Sequence, residues 1–166
     1  MTINERELYS AVFTLEEASG GRIGVEKRFR AIGHLAIRQI REAIDAMGLL
    51  SQVPLQGTIE LLLRSEVRPE WFDALLTADQ YSRSGEDPER FLMMARVLRE
   101  EPEAMVAIAA DLNNISAANN AGCYVVGLTF EHTHQELYKA GAHTSVRSYL
   151  EAANLVIPHF KKQVRV

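Results

Sequence analysis

One cysteine, Cys123, stands in the whole chain, which excludes an intramolecular disulfide and any cysteine-only metal cage. No apolar run approaches the ~18 residues that a membrane-spanning helix needs, so no membrane partner is expected. Basic residues are in slight deficit, 18 Lys+Arg against 22 Asp+Glu, and the formal charge of −4 argues against a dedicated duplex-binding protein. Met1 to Glu7 lack the basic-then-apolar pattern of a secretory signal, so the expected location is the cytoplasm or an organelle interior, a reducing compartment. Glycine and proline are sparse, and they cluster only at Gly20-Gly21, from Pro54 to Gly57 and from Ser82 to Pro88. None of these is long enough for a linker, so the 166 residues read as one domain. Within it we distinguish a helix-rich N-terminal part (1–50), an α/β core (51–157) and a basic tail (158–166) with Lys161, Lys162 and Arg165. Apolar residues make up 47% and charged residues 24%, ordinary for a globular domain.

Val25, Phe29, Ile32, Ala36, Ile40, Ala43 and Met47 form a helical stripe that Gly48 is suited to end. Leu49 to Leu55 reads as a short buried strand, Gly57 to Val67 as a helix, and Phe72 to Thr77 as a strand. Asp87-Pro88 is a helix start, and the helix that follows runs to about Glu100. Met105 to Ala110 and Tyr124 to Leu128 are unbroken apolar runs of strand length, separated by a small-residue helix from Ile115 to Ala121. Thr133 and Glu136 form a capping box for a helix that stops at Gly141, and a last helix is expected from Ser145 to about Leu155. Apolar strands alternating with helices imply a parallel sheet covered on both faces, whose ligands sit at the carboxyl ends of the strands. That places a site near Asp79 and near Asp111, Asn113 and Asn114. Residues 5 to 19 fit a strand or a helix equally well, since Leu8, Ala11, Val12 and Leu15 also have helical spacing.

From Phe72 to Glu151, Asp87-Pro88, Ile115, Ala117-Ala118, Ala121-Gly122, Gly127 and Ala140-Gly141-Ala142 fall in order. In this the chain resembles the phosphatase-like branch of the haloacid dehalogenase (HAD) superfamily. The resemblance implies an α/β fold, a three-layer Rossmann-like parallel sheet of the HAD-like type, here with an N-terminal helical segment and no helical cap. Only Glu17 to Glu26 could hold a cap, against the ~30 residues that a small helical unit needs. The family's chemistry uses an aspartate nucleophile with a second aspartate two positions on, a Ser or Thr after the second strand, a phosphate-binding Lys, and acidic residues that hold Mg²⁺.

The resemblance breaks at those positions. Thr14 stands at the nucleophile and Glu16 at the proton-transfer position, and Ser51 is the nearest candidate for the Ser or Thr. Gly85 replaces the Lys, and Ala109-Ala110 replace the acidic pair, with Asp111 one step late and only a weak metal candidate. A threonine with no adjacent base is a poor nucleophile and gives a metal no charge. The expectation from these losses is a domain without catalysis, a binding or assembly subunit that needs no cofactor and has a protein partner. The alternative is a divergent Mg²⁺-dependent phosphomonoester hydrolase using Glu16, Asp79 and Asp111. A second alternative is an RNA-contacting accessory protein acting through Arg38 and Arg41, on a helix that also carries Lys27, Arg28 and Arg30. The plainer readings are that Asp79 and Asp111 cap turns or helices, that His132 and His134 lie exposed around a cap, and that Cys123 is a buried structural thiol. His34, His143 and His159 have no evident partners in the sequence.

Overall fold

Five short, mainly apolar runs and the more polar Thr144–Val146 become six parallel strands, and their connections place helices on both faces of the sheet they form. The computed structural model describes residues 2–16, 27, 29, 33–81 and 85–161. Among these, β1 (Ser10–Leu15) is followed by α1 (His34–Ala43), β2 (Ala46–Ser51), α2 (Leu55–Arg64) and β3 (Ala74–Leu76). The second half comprises α3 (Glu89–Leu98), β4 (Met105–Ala109), α4 (Leu112–Ala121), β5 (Tyr124–Leu128), α5 (His134–Ala140), β6 (Thr144–Val146) and α6 (Tyr149–Val156). The strand order is β3-β2-β1-β4-β5-β6 and every neighbouring pair is parallel, the three-layer α/β arrangement expected. Because the chain winds outward from β1 in one direction and then returns to β4, the crevice between their carboxyl ends is the natural ligand position.

Two apolar clusters flank the sheet. Phe13, Ile37, Ile40, Leu61, Leu62 and Val156 lie in one, so α1, α2 and α6 cover that face. Phe91, Met94, Ile115, Ala118 and Leu137 lie in the other, under α3, α4 and α5. All six residues of β1 are buried, and the strand pairs on both edges. Among the described residues this settles the ambiguity for a strand, since a strand buried on both faces loses the alternation that would have marked it.

Several boundaries differ from expectation. The stripe from Val25 to Met47 is not one helix: α1 ends at Ala43, and Met47 and Gly48 belong to β2. Val25 and Ile32 lie outside the described residues. Gly48 is no helix stop; it lets Met94 of α3 pack on the sheet, since a Cβ there would fall 2.5 Å from the Met94 sulfur. The first fifty residues therefore supply two central strands, more sheet than a helix-rich segment implies. Ser145 opens no helix: it lies in β6, and Ser148 caps α6 by accepting from the Glu151 amide. The small-residue helix begins three residues early, at Leu112, because Asp111 caps it. The segment Glu17–Glu26, on which the absence of a cap rests, lies outside the described residues, as do Arg28, Arg30, Lys162 and Arg165.

Candidate active site

At the carboxyl end of β1 the chain delivers Thr14 on the strand and Glu16 just beyond it. The Thr14 hydroxyl donates to Glu16 Oε1, so the threonine does have a carboxylate beside it. Asn114 Nδ2 donates to the same oxygen at 3.1 Å, and the Ala110 amide donates to Glu16 Oε2 at 3.3 Å. Burial raises the Glu16 pKa above its ordinary value, a shift that the donors from Thr14 and Asn114 oppose and that the charge of Asp111 assists.

Asp111 follows β4 and caps α4, accepting from the Asn114 amide at 3.0 Å. The capping role holds, and the same geometry brings Asp111 to the mouth of a cleft of about 70 Å³ that Asn113 and Asn114 also line. Across it stands Arg90, on the first turn of α3, with Gln52, Tyr81 and Gly85 completing the wall. Arg90 Nε donates to Asn114 Oδ1 at 2.8 Å, so a polar chain runs from Arg90 through Asn114 to Glu16 and Thr14.

Ser51 ends β2 directly beside Leu15 of β1, but its hydroxyl is turned into a buried set. It lies 2.7 Å from the Thr58 hydroxyl and receives the Val53 amide at 3.1 Å. Asp79 takes the Thr77 hydroxyl and is exposed; it does not line the cleft. Ala109 closes β4 in the core, while Ala110 contributes its backbone amide to Glu16. Gly85 has φ +46° and offers its carbonyl to Arg90 Nη2 at 2.8 Å. Arg90, Gln52 and Tyr81 are the residues that sequence reasoning did not single out. A signal for Arg90 existed: it is a charged residue on the buried face of α3, beside Phe91, Met94 and Ala95.

Elsewhere, His132 pairs with Glu136 at 3.3 Å and His134 with Ser145, both around the α5 cap. Two further histidines find partners. His34 Nδ1 lies 3.0 Å from the Phe29 carbonyl, and His143 Nδ1 accepts from the Val125 amide at 3.0 Å. Arg41 is bound to Asp73 at 2.7 Å and Arg38 to Glu42 at 3.2 Å. Cys123 is buried and its thiol is pushed up to about 12. Among the described residues no group of three or more His, Cys, Asp or Glu gathers to cage a metal, and no helix is long and apolar enough to cross a membrane.

No family model matches the chain. It is 29% identical over 92 residues to a phosphoglycolate phosphatase of Salmonella typhi, covering 55% of this chain and 36% of that protein. It is 37% identical over 104 residues to validoxylamine A 7'-phosphate phosphatase of Streptomyces hygroscopicus subsp. limoneus, covering 63% of this chain and 48% of that protein. The chain thus aligns with between a third and a half of the length of these relatives. Among solved structures, a hydrolase from Pseudomonas syringae superposes with a TM-score of 0.72 at 14% identity, over 92% of this chain and all of that one. CbbY from Rhodobacter sphaeroides, in complex with xylulose-(1,5)bisphosphate, superposes with a TM-score of 0.59 at 26% identity, over 70% and 52% of the two chains.

These relatives overturn the expectation of a domain without catalysis serving as a binding or assembly subunit, for the curated proteins that match are named as phosphatases. The physical reason is visible at the site. Reading the motifs position by position found three losses, whereas the fold gathers Glu16, at its motif position, with Asp111 and the cation Arg90, from positions that the motifs do not mark. The chain has the haloacid dehalogenase fold, with its six-stranded parallel sheet, and is a relative of the phosphatase-like branch of that superfamily.

Proposed function

We propose that the chain is the α/β core of a phosphomonoester hydrolase in which Glu16 handles the proton and Asp111 supplies the second carboxylate. The observation that carries this reading is the setting of Glu16 at the β1–β4 crevice. Its Oε1 is filled by Thr14 and Asn114, Oε2 accepts the Ala110 amide, and the Asp111 amide also donates to the carboxylate. A raised pKa brings such a carboxylate nearer to the strength that a general base needs. Water attacks phosphorus as the ester P–O bond breaks. The proton leaves the water for Glu16 Oε2 and passes to the departing alkoxide, giving an alcohol and phosphate. Thr14 holds the base through its hydroxyl and forms no covalent intermediate.

Mg²⁺ commonly binds through one or two carboxylates together with substrate phosphate oxygens, and Asp111 offers a carboxylate of that kind at the cleft. When bound, it would neutralise charge on the phosphoryl group. The names of the curated relatives support the reaction class. The test is turnover of p-nitrophenyl phosphate and of a panel of small phosphate esters with and without Mg²⁺. Hydrolysis should require Mg²⁺ and fall at least ~100-fold in Glu16→Gln, the usual scale for removing a general base. Asp111→Asn, which preserves a helix cap, should raise the Mg²⁺ concentration needed. No turnover of any ester by the folded wild-type chain sinks the proposal.

A further inference from the structure

Position 85, where the family resemblance calls for a lysine, is a glycine, so the cation that receives the phosphoryl group must come from elsewhere. Arg90 is only 5% exposed, yet it is not packed as an inert core side chain. Its Nη2 donates to the Gly85 carbonyl at 2.8 Å, its Nη1 to the Asp87 carbonyl at 3.0 Å, and its Nε to Asn114 Oδ1 at 2.8 Å. A guanidinium carries five N–H groups, so among the described residues these contacts leave one donor on each terminal nitrogen. The three acceptors are neutral oxygens, which orient the guanidinium without cancelling its charge.

Burying a cation is costly, and a neutral side chain such as Leu or Met would fill a space on this face of α3 without that cost. Burial lowers the pKa of Arg90, while Tyr81 and the carboxylates Asp111, Asp87 and Glu16 act to raise it, which places these groups within one electrostatic field. The small cleft onto which Arg90 opens is the one that Asp111 and Asn114 line. Its planar fork suits a phosphate, and a cation set among the carboxylates Asp111, Asp87 and Glu16 lessens the repulsion that a dianion would meet there.

The geometry points to Arg90 as the phosphoryl-binding cation of this site, reaching from the first turn of α3 into the place that Gly85 leaves without a side chain. The ligand it takes is the dianionic phosphate of a monoester or free phosphate. The inference rests on the hydrolase reading for its role in turnover, but phosphate binding tests it separately.

The experiment measures binding of inorganic phosphate, in the presence of Mg²⁺, by calorimetry on the wild-type chain and on Arg90→Gln and Arg90→Lys, with thermal melts as controls. In parallel, KM and kcat for p-nitrophenyl phosphate are followed. Arg90→Gln should weaken phosphate binding and raise KM on the order of 10- to 100-fold, the span of a charge-assisted hydrogen bond, with a smaller effect on kcat. Arg90→Lys should recover part of the binding. A structural arginine would lower the melting temperature and leave phosphate affinity in place, and that result overturns the inference. If the wild-type chain binds phosphate through Arg90 but hydrolyses nothing, the hydrolase reading fails and this one stands. Should Arg90→Gln not fold, nitrogen-15 arginine labelling of the wild-type chain decides the matter. The Nε signal that disappears in Arg90→Lys must move on saturation with phosphate, and a signal that stays fixed refutes the role.

Discussion

Glu16 is half-buried between the ends of β1 and β4, and the fold stabilises its neutral form relative to the open chain. Below its ordinary pKa of 4.5 the carboxyl is protonated in both states and costs the fold nothing extra. As pH rises from there toward the raised folded value, the unfolded chain loses a proton that the native one keeps. Stability therefore falls across that window and levels off above it. Urea midpoints measured against pH for the wild-type chain and for Glu16→Gln should show this as a difference. The wild type should lose ground to the variant as pH rises, and parallel curves would mean that the carboxyl is not buried as described. The same proton governs activity with the opposite sign, since a general base must be ionised. The acidic limb of kcat/KM is expected above 4.5, and a limb at or below that value would remove Glu16 from the proton-handling role. Cleft residues such as Arg90 and Tyr81 carry no motif, because their part is set by what lies across the crevice.

At the scale of elements, Gly48 shows how a local signal misleads. After an amphipathic stripe a glycine reads as a helix stop, but here it lies in the middle of β2, where Met94 of α3 occupies the space a side chain would take. Gly48→Ala should cost roughly 1–3 kcal/mol through overpacking, read from denaturant unfolding. In a Met94→Ala background the same substitution should cost almost nothing, because the obstruction is gone. An additive double-mutant cycle would show that the two residues do not meet. The elements legible in the sequence were those with their own chemistry at both ends: α3 behind Asp87-Pro88, α5 with its Thr133–Glu136 capping box and Gly141 stop, and the apolar runs of β4 and β5. Those misjudged share one cause. Residues of β1 are buried on both faces and lose their period, and β2 begins two residues after Ile44 with no glycine or proline between it and α1. For the candidate site, the sequence singled out Glu16, Asp111, Asn113 and Asn114 because each follows a strand that it made visible or suggested. Arg90 comes from a helix face, and only the packing of α3 against α4 turns it toward them.

Across the whole molecule, the two ends of the sheet have separate tasks. The carboxyl ends of β1 and β4 carry Glu16 and Asp111, whereas Cys123 sits at the amino end of β5, fully buried. With its thiol pushed up to about 12, the thiolate fraction at pH 8 is on the order of 10⁻⁴, and no reagent reaches the sulfur without an opening of the fold. Thiol labelling of this one cysteine thus reports the native chain's opening, at a place no cleft ligand can shield directly. If that opening is global, a ligand that binds only the folded chain must slow the reaction. Phosphate with Mg²⁺ at 100 times its dissociation constant stabilises by about 2.7 kcal/mol, which corresponds to roughly a 100-fold slower rate. The expected outcome is slow labelling that matches the unfolding equilibrium from urea and slows by that factor with phosphate. Labelling that ignores bound phosphate would show that β5 opens independently of the β1–β4 crevice, and the sheet would then not be a single cooperative unit linking its two ends.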